Sequence, residues 1–116
     1  MTNKLSPQEI TDQAKRSYQA GDYLPAAQAF TEAAAAYAGT GDALMTAEMQ
    51  NNRSVALLRA NQAQAAFEAA QGTEKVFEQA GDFLRQGMAL ANQASALQVL
   101  KRFNDAIDDY KEPVMP

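Results

Sequence analysis

The feature that most constrains this chain is an internal repeat with a period of 40 residues. Sliding the sequence against itself by that period sets Gly41-Asp42 over Gly81-Asp82, Leu44 over Leu84, Asn52 over Asn92, Leu57 over Leu97, and Tyr37 over Phe77. Carried over all three units, the register aligns Ala14, Ser54 and Ala94, then Tyr23, Ala63 and Phe103, then Ala26, Ala66 and Ala106. Small residues fall on small ones. That marks a close contact between elements repeated along an array, where any larger side chain would push the two apart.

The punctuation between the repeats belongs to helices. Ser6-Pro7-Gln8-Glu9 reads as a helix start, with Ser6 accepting from exposed N–H groups, Pro7 at the first helical position and Glu9 completing a capping box. Helix one is expected over about 7–20. Gly21-Asp22 ends it and opens helix two, about 23–38, with Pro25 tolerated in the first turn. After Gly39-Thr40-Gly41-Asp42 comes helix three, about 43–60, and after the weaker break at Asn61-Gln62 helix four, about 63–80. Gly81-Asp82 opens helix five, about 83–100, and Lys101-Arg102 leads into helix six from about Phe103. Gly72, inside helix four, costs about 1 kcal/mol relative to Ala and reads as a kink or close contact rather than a functional hinge. Six antiparallel helices in three hairpins are expected, as one all-α domain over 1–116 with repeats at about 7–40, 41–80 and 81–116.

Composition agrees and removes several functions. The chain is rich in Ala, Gln, Glu and Leu, which favour helices, and its 47% hydrophobic and 21% charged content is ordinary for a globular fold. A net charge of -4 without a basic stripe argues against nucleic acid, whose binding depends on displacing counterions from phosphates. No apolar run is long enough for a signal peptide or a membrane span, so a cytoplasmic location is expected. With no His and no Cys, imidazole bases, thiol nucleophiles and thiolate or His-based zinc sites are excluded. No enzymatic activity, cofactor or metal is expected. Asp105, Asp108 and Asp109 share a helical face by spacing, and read as a solvated face rather than a cation site.

Gly21-Asp22-Tyr23 with Ala26, Phe30 and Ala33, then Asn52, Ser54, Leu57 and Ala66, then Asn92, Ala94, Leu97, Phe103, Ala106 and Tyr110 together resemble the tetratricopeptide repeat over nearly the whole chain. The 40-residue spacing is similar to the longer-helix variety of that family. The chain departs from the family at Gln13, Arg53 and Gln93, where an apolar residue is usual, and at Ala14, Ser54 and Ala94, where Gly is usual. The resemblance implies a right-handed superhelix whose first helices line a concave groove that holds a peptide or a helix of another protein. Leu57, Leu97, Phe30, Tyr37, Phe77 and Tyr110 are expected in the core.

By the same resemblance, Gln8, Thr11, Asp12, Lys15, Tyr18 and Gln19 of unit one face the groove. Unit two contributes Glu48, Asn51, Asn52, Val55, Leu58 and Arg59, and unit three Met88, Ala91, Asn92, Ser95, Gln98 and Val99. Asn52 and Asn92 can pair with the backbone of an extended ligand whatever its sequence, or can simply bond a neighbouring helix. Tyr18, Val55, Leu58, Met88 and Val99 would add apolar contact. The carboxylate clamp of chaperone-adaptor members falls here on Thr11, Lys15, Asn52, Met88 and Asn92, and only the middle Asn is kept, so chaperone tails are not the expected ligand.

Pro113 stops helix six after about ten residues, which leaves the third unit short. Leu100, Phe103, Ile107 and Tyr110 are therefore expected to form an exposed patch, suited to self-association as a homodimer or to the remainder of a longer regulatory protein. A self-assembling structural module is thus the alternative to a peptide-binding scaffold.

Overall fold

The computed structural model describes residues 4–111, with side chains through Ile107. The described residues hold no strand. Six helical segments follow one another: α1 Pro7–Gln19, α2 Tyr23–Gly39, α3 Ala43–Arg59, α4 Ala63–Ala70, α5 Thr73–Gln79 and α6 Phe83–Lys111. The capping box forms as the sequence predicts, with the Glu9 amide donating to Ser6 Oγ at 3.1 Å and the Ser6 amide donating to Glu9 Oε1 at 3.2 Å.

Four turns are built alike. At Gly21, Gly41, Asn61 and Gly81 the backbone enters the left-handed region, with φ of 82°, 77°, 63° and 73°. The next amide then reaches back five residues to close the helix end: Asp22 to the Ser17 carbonyl (2.9 Å), Asp42 to Tyr37 (3.0 Å), Gln62 to Leu57 (2.8 Å) and Asp82 to Phe77 (2.9 Å). Only Gly, and less readily Asn, takes this conformation cheaply. These positions recur every 20 residues, and the next step falls on Lys101.

Lys101 and Arg102 are good helix formers with no ready access to the left-handed region, and the helix runs straight through them. The expected helices five and six are therefore one helix of 29 residues. The third hairpin does not form, and its would-be contacts are open. Ala94 and Ala106 are exposed although their repeat mates Ala14, Ser54, Ala26 and Ala66 are buried. Leu97, expected in the core beside its mate Leu57, is 48% exposed, and Phe103 is 64% exposed.

The expected helix four is broken as well. Gln71 is extended and Gly72 sits at φ 87°, so α4 and α5 meet at a bend there. The kink expected of Gly72 is real. The Ala70 carbonyl freed by the bend accepts from Thr73 Oγ1 at 2.7 Å and from Gln93 Nε2 at 3.2 Å, so it is not left unpaired.

Alanine makes the inter-helix contacts. Ala14, Ala26, Ala33, Ala56, Ala66 and Ala96 are fully buried, and Phe30, Met49 and Phe77 supply the bulk between them. At the α3–α4 approach, Ser54 Oγ donates to the Ala66 carbonyl at 2.7 Å, which requires the two backbones to lie close. Tyr37 is half-buried against this core. The side chains of Asp108, Asp109 and Tyr110, and all of Pro113, lie outside the described residues. Ala66→Leu should overpack the α3–α4 contact and cost about 1 to 3 kcal/mol. A urea unfolding midpoint equal to wild type would show that the helices do not approach there.

A candidate groove across helices one, three and six

The residues that face away from the alanine contacts on α1, α3 and α6 meet along one surface. One depression of about 210 Å³ is lined by Lys15, Tyr18, Gln19, Phe30, Asn52 and Val55. A smaller one, about 90 Å³, is lined by Glu48, Asn51, Asn52, Val55, Phe77, Arg85, Met88 and Asn92. Asn52 and Val55 belong to both, so the two form one groove crossing three helices. Tyr18 is held at its edge by Tyr23, ring centroids 5.3 Å apart and planes at 62°, an edge-to-face arrangement that fixes the ring.

The two asparagines named from the sequence have different duties. Asn92 Nδ2 donates to Asn51 Oδ1 at 3.0 Å, and the buried Asn51 in turn donates to Thr73 Oγ1 at 2.8 Å and to the Ala47 carbonyl at 3.2 Å. Asn92 thus ties α6 to α3 and to the bend before α5. Asn52 has no hydrogen-bond partner among the described residues and keeps its amide open to the groove. Asn51 lines the smaller depression but is buried with its amide committed to protein partners, and Thr11 is also buried, its hydroxyl donating to the Pro7 carbonyl at 2.8 Å.

Charge is largely spent within the protein. Arg85 bridges Glu48 (3.2 Å) and Asp82 (2.7 Å), clamping the start of α6 onto α3. Asp82 also accepts from the Arg85 amide at 3.1 Å. The Arg85 guanidinium and amide hold the Asp82 carboxyl below its usual range, and Asp82, with Glu48 behind it, holds Arg85 protonated more firmly than usual. Glu48 is therefore committed to Arg85 instead of to a ligand.

No family model, curated protein or solved structure matches this chain.

Several expected groove residues lie elsewhere. Leu58 packs against the core cluster, and Asp12 is exposed and accepts from Gln8 Nε2 at 3.0 Å. Arg59, Ser95 and Val99 are exposed but line neither depression, and Ala91 and Gln98 lie on the far side of α6 by helical spacing. Of the expected self-association patch, Phe103 is exposed while Leu100 and Ile107 are half-buried. Sequence reasoning missed Thr73, Glu74 and Arg85. Gln93 Nε2 donates to Glu74 Oε2 at 2.7 Å as well as to Ala70, so this departure from the family pattern is a brace across the bend. A wider cleft of about 770 Å³ opens on the opposite side of α3, between the end of α2 and the α4–α5 bend, lined among others by Ala47, Arg53, Glu68 and Thr73. It follows from the bend at Gly72, whose course the repeat pattern does not specify.

Among the described residues no group of three or more Asp, Glu, His or Cys could hold a metal ion, and no helix is long and apolar enough to cross a membrane.

The lowered Asp82 pKa has a definite sign. Its contribution to stability is complete above the unfolded carboxylate range near ~3.9 and is lost as pH falls through the lower folded value. Wild type should therefore lose more stability than Asp82→Asn between pH 5 and roughly 2 in urea titrations. Equal losses in the two proteins would show that the Asp82–Arg85–Glu48 clamp does not form in solution.

Proposed function

We propose that this protein is a tetratricopeptide-type interaction module, a right-handed helical stack that holds a peptide or short helix of another protein and performs no chemistry. The observation that carries this reading is the groove in which Asn52, with an uncommitted amide, stands between Tyr18, Val55 and Met88. An open donor and acceptor among apolar side chains suits a ligand that presents backbone groups and a few apolar side chains. Met88, 56% exposed, adapts its shape to different partners. Glu48 and Arg85 in the groove are already paired with each other, which leaves Lys15 as the one charged lining residue outside an ion pair among the described residues, so the groove carries no strong field of either sign. The absence of His and Cys supports the non-enzymatic part of the reading.

The repeat type rests on the register of small residues and on the four like turns, which stack α1 to α4 as successive antiparallel neighbours. The straight α6 departs from that type. Its exposed apolar side chains favour a second property, self-assembly.

Peptides selected from a random displayed library against the immobilised protein supply the test. For a synthesised selected peptide, Asn52→Ala should weaken binding by about 1 to 3 kcal/mol, roughly 5- to 150-fold, through lost buried hydrogen bonds. Asn92→Ala should instead lower folding stability by about 1 kcal/mol, because its partner is Asn51. Affinity unchanged by Asn52→Ala, with the variant folded, would contradict the groove as the binding site.

A further inference from the structure

Among the described residues, α6 exposes more large apolar side chains than any other helix. From Gln86 to Leu100 the sequence carries no charged residue, whereas the 13 residues of α1 carry Glu9, Asp12, Lys15 and Arg16. Seven of the nine large exposed apolar side chains among the described residues belong to α6. Phe83, Gly87, Leu90, Ala94 and Leu97 follow one another at steps of four and three, the spacing of a coiled-coil seam. Phe83 is 71%, Leu90 49% and Leu97 48% exposed, and Gly87 and Ala94 are exposed between them.

The seam is complementary to itself reversed. Large residues occupy one heptad position and small residues the other. Laid antiparallel on a second copy, Leu97 meets the partner's Gly87 and Leu90 meets the partner's Ala94, and the two-fold axis passes near Asn92. Large against small across the whole contact is the condition for close interdigitation. Phe83 then meets the stem and ammonium of the partner's Lys101, a cation over an aromatic face. The flanking residues Gln86, Ala91 and Gln98 bring no like charges together.

Surface area points the same way. The protein exposes 7723 Å², whereas a compact monomer of 12.5 kDa exposes roughly 6,200 Å². The excess is about twice the roughly 800 Å² per partner that a stable interface of standard size removes.

We propose that two copies of this chain form a two-fold dimer by antiparallel packing of the α6 seam Phe83–Gly87–Leu90–Ala94–Leu97. This pairing goes beyond the groove reading and does not depend on it, since the seam and the groove lie on different sides of α6. The competing occupant is the chain's own 103–111 segment, folded back as the repeat register would have it. The straight α6 carries that segment away from its own seam.

Light scattering on the full chain across a concentration series should give about twice the 12.5 kDa chain mass. Ala94→Glu and Leu90→Glu should each shift the mass to monomer while circular dichroism stays helical. Because the chain has no cysteine, Gly87→Cys with Leu97→Cys gives a clean second readout. The two sites are ten residues apart on one helix and cannot bridge within a chain. Mild oxidation should therefore yield a disulfide-linked dimer. A monomer throughout, with no disulfide-linked dimer, overturns the proposal. So does an Ala94→Cys, Ala106→Cys variant that closes a disulfide within one chain, because that places the chain's own segment on the seam.

Discussion

Whether the backbone can enter the left-handed region at each twentieth residue decides the architecture of this protein. Where Gly21, Gly41, Asn61 and Gly81 permit it, a helix ends, its last carbonyls are satisfied by the returning amides, and the next helix packs back antiparallel. Where Lys101 stands, the helix continues. A left-handed non-glycine residue costs roughly 1 to 2 kcal/mol, and an uninterrupted helix gains a hydrogen bond per residue. One residue thus separates a closed third hairpin from a long helix with an exposed seam.

The groove inherits its form from the same chain of causes. Alanine contacts bring α1 and α3 close to their partners, and the Arg85 clamp with the Asn92–Asn51–Thr73 chain of amides and hydroxyl seats α6 beside α3. Those buried polar groups are all paired, so they fix the position of α6 without an unpaired donor or acceptor. What remains open is a narrow surface with one uncommitted amide, an anchored tyrosine and flexible apolar side chains. The proposed recognition rests on that surface.

Much of this was legible in the sequence, because local physics wrote it there. The capping box at Ser6, the turns at glycine, and the small residues at Ala26 and Ala66 each depend on a few neighbouring atoms and a repeating pattern. The failures share a cause too. The repeat register places a break at Lys101-Arg102, although neither residue has the chemistry of the earlier turns. For Asn52 and Asn92 the sequence allows either a ligand backbone or a neighbouring helix, and it cannot divide the two duties between them: Asn92 takes Asn51 across the stack, a pairing that only the path of α6 reveals. Gly72 announced a kink but not its direction, so the wide cleft beside it and the brace from Gln93 had no signature of their own.

The straightness of α6 is the point on which the account turns, and a distance measures it. Spin labels introduced by Gln86→Cys and Asp109→Cys, in labelled chains diluted with unlabelled protein, would report the separation by pulsed electron resonance. A continuous helix predicts about 35 Å between the two backbone positions, from a rise of 1.5 Å per residue. A separation of roughly 12 Å, as in a closed hairpin with helices 8–10 Å apart, would contradict it.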